Sequence, residues 1–261
     1  MTPPVSGALK RRARQFLRPF RREFRRGVED PKVPLSLDMG RDSGTLLIAF
    51  GGMRGQIGMP PFEFFKATGG IPVKRLFVRD LLQAWYHRGI PGHGSTIPEV
   101  AESLGALVAA HDVDRLVVAG NSAGGYAALL FGTLLGADTV LGFAPQTVLE
   151  LDALAAMDDH RWDEQLSELI ADGALDPRWT DLRTALPPVR RADTHYELYF
   201  DDSFRADRLQ AERMAELEGA TLLRLEGGAH GVAREMRESG ALEGVLKSAL
   251  GTPVGEGHTS G

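Results

Sequence analysis

The sequence predicts an α/β protein, with a mostly parallel sheet and helices on both faces. Three observations carry this. Short runs rich in Val, Ile and Leu alternate with longer stretches of helical period. The runs are nearly continuously apolar, as strands buried on both faces are. A chain of 261 residues that is 43% hydrophobic can fill one full core without splitting into separate domains.

In order, the runs are Leu35 to Asp38, Thr45 to Phe50, Val73 to Arg79, Arg115 to Ala119, Thr139 to Phe143, His195 to Phe200 and Thr221 to Leu225. Between them the pattern predicts helices over Pro61 to Lys66, Ile97 to Ala110, Ala123 to Leu135, Arg208 to Glu218 and Gly231 to Leu250. Residues 147–190 break the rhythm. They hold helical pieces such as Asp163 to Ala171, then Pro177, Pro187 and Pro188, and read as a small helical cap inserted over the strand ends. The stretch 251–261 is rich in Gly, Thr and Ser and is expected to be disordered. The organisation expected is a basic arm (1–30), an α/β domain (31–250) carrying the cap (147–190), and a tail.

Charge separates the arm from the body. Residues 1–28 hold nine Lys or Arg against Glu23, a net of +8, whereas the whole chain is −5, so the remainder carries −13. Leu9, Phe16, Leu17, Phe20 and Phe24 recur in the arm at roughly helical spacing. Such a segment suits an anionic membrane surface or an acidic partner, or folds back on its own acidic body.

Several classes are excluded. With no cysteine, there is no disulfide framework, thiolate metal site or cysteine nucleophile. No run approaches the ~20 apolar residues that cross a bilayer, and no signal-peptide pattern opens the chain, so a cytoplasmic protein, at most peripheral to a membrane, is expected. Neither dinucleotide nor P-loop fingerprints are present, and His87 and His93 make no zinc spacing, so we expect a mechanism without metal or cofactor. Specific nucleic-acid binding is not expected either, for want of stacking or finger motifs in the body.

The chemistry-bearing residues follow the strands. After Arg115 to Ala119 comes Gly120-Asn121-Ser122-Ala123-Gly124-Gly125 and then a helix, so G-x-S-x-G stands at a strand-to-helix turn that presents the serine hydroxyl at the sheet edge. A serine hydroxyl needs a base, and the base needs an orienting carboxylate. His230, in Glu226-Gly-Gly-Ala-His230-Gly231 just past the last run, is the candidate base. The acid is expected after His195 to Phe200, where Asp201, Asp202 and Asp207 stand; Asp207, placed just before the next helix, is favoured, then Asp202. Charge developing on an acyl oxygen needs backbone donors. Ala123 supplies one, and the Gly51-Gly52-Met53-Arg54 loop supplies the other from Gly52 or Met53. Arg54, Trp85, Tyr86 and Gln146 fall at the same edge and are expected to line the substrate site; Arg79 and Asp80 suggest a local ion pair.

Together, the strand-Gly-Gly loop, the G-x-S-x-G-G turn, the acidic loop and Gly-Gly-x-His resemble the α/β-hydrolase superfamily over roughly residues 35 to 250. The resemblance implies an eight-stranded, mostly parallel sheet and a Ser-Asp-His triad falling on Ser122, Asp207 and His230. Phe50-Gly-Gly-Met53 departs from the His-Gly-Gly-Gly of lipase-like members, and the acidic loop lacks the common Gly-x-x-Asp. Arg79-Asp80 with Gln83, Trp85 and Tyr86, and Phe143-Ala-Pro-Gln-Thr147, resemble uncharacterised bacterial hydrolase-like proteins. The function expected is serine-dependent cleavage of a carboxylic ester, or of a thioester or amide, acting on a small acyl substrate. An acyltransferase using the same triad, or a non-catalytic scaffold docked by its basic arm, are the alternatives.

Overall fold

The computed structural model describes Phe24, Gly27 and residues 30–53 and 63–251. The elements are, in chain order, β1 (Leu35–Asp38), β2 (Thr45–Phe50), α1 (Glu63–Ala67), β3 (Lys74–Val78), α2 (Ile97–Ala109), β4 (Arg115–Asn121), α3 (Ala123–Leu134) and β5 (Thr139–Phe143). They continue with α4 (Leu151–Ala156), α5 (Asp163–Ala171), α6 (Leu182–Ala185), β6 (His195–Asp201), α7 (Arg205–Glu212), β7 (Ala220–Leu225), a 3₁₀ turn (Ala229–Gly231), α8 (Val232–Glu238) and α9 (Ala241–Ala249).

All seven strands join one sheet in the order β1-β3-β2-β4-β5-β6-β7. Only β1 runs antiparallel to its neighbour, pairing Leu35 with Val78; β2 to β7 are parallel. Each predicted run is found within a residue or two of its expected ends. The eighth strand, implied by the resemblance alone, has no counterpart among the described residues, and here β1 forms the edge.

Alternation along the strands builds two cores. In β2, Leu46, Ile48 and Phe50 face one side and Leu47 and Ala49 the other; in β4, Leu116 and Val118 oppose Val117 and Ala119. The first face is covered by α2 and α3, the second by α1, α8 and α9. α3 is buried from Ala123 to Thr133, which its run of Gly, Ala and Leu permits because no charged side chain would be stranded. α2 begins where Thr96 Oγ1 accepts the Glu99 N–H and proline occupies the first turn. Phe24 is buried beside Phe65 and Phe77, with the Arg75 guanidinium 5.1 Å from its ring centre. The remaining hydrophobic positions of the basic arm, and the tail beyond Gly251, lie outside the described residues.

Two helix expectations need correction. The one placed at Arg208 to Glu218 runs from Arg205 to Glu212, so Asp207 lies inside its first turn rather than ahead of it. The one placed at Gly231 to Leu250 is two helices, because Gly240 takes φ +82° at the end of α8 and redirects the chain. Residues 147–190 contain α4, α5 and α6 and a single isolated bridge, Val148 to Asp181.

Candidate active site

The parallel register brings the carboxyl ends of the strands level: Phe50 pairs with Gly120, Asn121 with Phe143, and Phe143 with Tyr199. The loops that leave these ends therefore meet along one edge, where sheets of this kind bind ligands.

Ser122 sits at the turn between β4 and α3 with φ +56° and ψ −121°, backbone angles that side chains rarely adopt. Its N–H donates to Phe143 O at 2.9 Å, and its carbonyl accepts from Tyr126 N at 3.0 Å, which fixes the turn from both sides. Glycines make the turn possible. A Cβ on Gly120 would fall 1.8 Å from Gly124 O, and one on Gly124 would fall 2.4 Å from Phe50 O.

His230 lies in the 3₁₀ turn after β7. Its Nε2 is 2.9 Å from Ser122 Oγ, and its Nδ1 is 2.7 Å from Asp207 Oδ2. Asp207 is only 1% exposed, and Ser122 5%. The carboxylate fixes the tautomer: Nδ1 carries the hydrogen and donates to Asp207, so Nε2 presents its lone pair to the serine hydroxyl.

The three candidate acids have separate positions. Asp201 Oδ1 accepts from Ser203 N and Oγ at 2.9 and 2.8 Å, and its Oδ2 accepts from Ala229 N at 2.7 Å, so it holds the turn that carries His230. Burial opposes its ionisation, but these bonds prevail and hold the carboxyl below the usual range. Asp202 points outward and pairs with Arg224 at 2.8 Å. Only Asp207 reaches the imidazole.

On the other side of Ser122, the amide of Ala123 opens α3, where a backbone N–H has no acceptor within the helix. The Gly51-Gly52-Met53 loop approaches the same turn, since a Cβ on Gly52 would lie 3.2 Å from Asn121 O. Gly51 N donates to Val78 O at 2.8 Å, and Tyr86 Oη donates to Gly51 O at 3.0 Å, so the loop is pinned at its start. Burial, then the charge of Asp80, drives the Tyr86 phenol well above its ordinary range, which keeps it a neutral donor.

The expected lining residues are placed differently. Trp85 and Tyr86 are 0% and 1% exposed, so they offer a substrate no surface. They occupy left-handed backbone (φ +50° and +65°) in a tight turn whose N–H groups at Leu82, Ala84 and Tyr86 bond the Asp80 carboxylate. Trp85 Nε1 donates to Gln146 Oε1 at 2.6 Å, while the Gln146 amide nitrogen, also buried, has no partner. Arg79, rather than forming a simple pair with Asp80, donates to the carbonyls of Gly27, Asp30 and Val33. Arg54 lies outside the described residues.

One residue at the site was not anticipated. Arg161, between α4 and α5, places Nη1 2.9 Å from Asp207 Oδ1 and 3.0 Å from His230 Nδ1, and its Nε and Nη2 each lie 2.7 Å from an oxygen of Asp159. Nothing in the spacing of Asp158-Asp159-His160-Arg161 relates it to a helix turn 46 residues downstream. Its only legible signal is its membership of the segment expected to cover the strand ends.

A parallel sheet with a serine at the turn after its central strand, met by a histidine and a carboxylate from the last two strand ends, is the α/β-hydrolase fold. Solved structures similar to this chain bear that out. The capsule O-acetyltransferase of Neisseria meningitidis serogroup A superimposes with a TM-score of 0.60 at 11% identity, over 82% of this chain and 90% of its own. Acetyl xylan esterase 1 from Thermoanaerobacterium sp. gives 0.54 at 14% identity, over 90% and 93%. MGS-MChE2, an α/β hydrolase from a sediment metagenome of the Mar Chica lagoon, Morocco, gives 0.53 at 15%, over 82% and 93%. No family model and no curated protein matches the sequence.

Proposed function

We propose that the protein is a serine-dependent acyl-transfer enzyme that cleaves a carboxylic ester. The observation that supports this most directly is the continuous hydrogen-bonded chain from Ser122 Oγ through His230 to Asp207, at 2.9 and 2.7 Å.

In this reading, the Ser122 oxygen attacks the acyl carbon as His230 Nε2 takes its proton. Asp207 orients the imidazole and stabilises the imidazolium. The amides of Ala123 and of the Gly52-Met53 loop receive the oxyanion. Collapse expels the alcohol, which leaves with the proton from His230, and an acyl-serine remains. Water deprotonated by His230 then adds to the acyl carbon, and the carboxylic acid departs as the serine is reprotonated. A thioester or amide presents the same carbonyl. When an acceptor alcohol takes the place of water, the same residues transfer the acyl group, and the similar structures include both esterases and an O-acetyltransferase. The basic segment 1–30 is proposed as the contact to an anionic surface or partner, and the protein as cytoplasmic. Among the described residues, no helix is long and apolar enough to cross a membrane.

The test is labelling by a fluorophosphonate, with turnover of p-nitrophenyl acetate and butyrate, in the wild type, Ser122→Ala and His230→Ala. Labelling and turnover present in the wild type and lost in both variants support the reading. A folded wild type that neither labels nor turns over would favour the non-catalytic scaffold. Addition of an acceptor alcohol separates transfer from hydrolysis by the product formed.

A further inference from the structure

Arg161, to which the proposed chemistry gives no role, meets two buried carboxylates at the site. Its guanidinium is a quarter exposed, whereas the side chains of Asp159 and Asp207 are 0% and 1% exposed. Nε and Nη2 form a two-pronged contact with Asp159, Nη1 bonds Asp207, and the plane lies 5.3 Å from the Phe204 ring centre. With its nitrogens engaged in this way, the guanidinium is not an open site for a substrate anion. Its charge is secure as well: burial works against it, and the two carboxylates more than compensate, which raises its pKa.

We infer that Arg161 is a positioning residue for the Ser122 chemistry: it claims Oδ1 of Asp207, leaves only Oδ2 to the imidazole, and sets a fixed positive charge beside His230 Nδ1. This rests on the acyl-transfer reading above. The geometry accounts for each part. Nη1 and Nδ1 both carry hydrogens, so their 3.0 Å approach is two donors converging on one carboxylate rather than a bond between them. A carboxylate held at both oxygens cannot rotate away from the imidazole. Asp159 sits on the far side of the guanidinium and orients it. The other charged groups near His230 are Asp207 and Asp201 and, on the following helix, Arg234, near Gly231, and Glu235, near Gly228. They are unchanged in the variants below.

The rate of fluorophosphonate labelling of Ser122, with kcat and KM for p-nitrophenyl acetate, tests this. The double variant Arg161→Met with Asp159→Asn avoids leaving a buried carboxylate unpaired. It is expected to label about 10- to 100-fold more slowly, with kcat for p-nitrophenyl acetate lowered and KM unchanged. Arg161→Lys keeps the charge but cannot span both carboxylates as the fork does. It is expected to recover part of the loss, labelling about threefold more slowly than the wild type. A folded double variant with a wild-type labelling rate and kcat overturns the inference while leaving the acyl-transfer reading intact. If the double variant does not fold, a wild-type labelling rate in Arg161→Lys overturns it instead. A folded wild type that does not label at Ser122 defeats the acyl-transfer reading itself, and this inference with it.

Discussion

Replacing His87 by glutamine should flatten the acid side of the protein's stability profile. His87 is 6% exposed; its Nδ1 accepts the Asp176 N–H at 3.0 Å, and its Nε2 lies 2.9 Å from the Tyr126 hydroxyl, which donates to Trp179 O at 2.6 Å. This ties residues 176–179 to α3 through a neutral imidazole, and protonation would set a hydrogen on Nδ1 against an N–H. Burial is the main reason that its pKa is lowered from 6.5 to about 4, with the Asp176 charge opposing it. The unfolded chain therefore binds a proton below about pH 6.5 that the folded chain refuses until about pH 4. The stability contribution is complete above pH 6.5 and is lost as pH falls through that window. Between pH 7.5 and 4.5 the linkage amounts to about 2.5 kcal/mol. Glutamine offers an acceptor and a donor but does not titrate. Urea unfolding followed by circular dichroism at both pH values should show His87→Gln losing about 2.5 kcal/mol less than the wild type. Equal losses, within about 0.5 kcal/mol, would refute the assignment of a neutral, acid-sensitive imidazole at this position.

Other substitutions separate the roles of neighbouring residues. Asp207→Asn should slow fluorophosphonate labelling by about 10²- to 10⁴-fold, because the amide cannot both orient and stabilise the imidazole, whereas Asp202→Asn should leave labelling and stability unchanged; the reverse pattern would reassign the acid. Ser122→Gly should be about 1 kcal/mol more stable to urea than Ser122→Ala, since alanine keeps the positive-φ strain and glycine does not; equal midpoints would mean that the turn is unstrained. Gly124→Ala should cost about 2 kcal/mol or more and abolish labelling, because the new Cβ would fall 2.4 Å from Phe50 O; a wild-type midpoint would contradict that contact.

The central strands were legible because a parallel strand buried on both faces is apolar on both, as Leu46–Phe50, Leu116–Ala119 and Val140–Phe143 are, whereas the outer β1 and β7 carry polar residues and were legible from their place in the alternation. Ser122 and His230 were legible because glycine-rich turns after strands leave few residue types able to do chemistry. Asp207 was named for the wrong local reason: Arg205 and Ala206 look like loop, yet the helix starts there, and the carboxylate is aimed from its first turn. Trp85 and Tyr86 were misplaced because no residue pattern announces left-handed backbone in two aromatics; the Asp80 carboxylate imposes it through three N–H bonds. Arg161 escaped notice because Asp207 and His230, the neighbours that tie it to the site, lie 46 and 69 residues away and join it only after the sheet has closed.

Ser122 follows β4 and His230 follows β7, 108 residues later, and two strands, β5 and β6, lie between these in the sheet. Among the described strands, none pairs with its neighbour as a hairpin, so every pairing waits on a long crossover and folding is expected to be governed by non-local contacts. On the acyl-transfer reading, a chain extended during synthesis only through α3 holds Ser122 without His230 or Asp207. Labelling of Ser122 is then expected to develop only with the last strands and to time the completion of the native sheet.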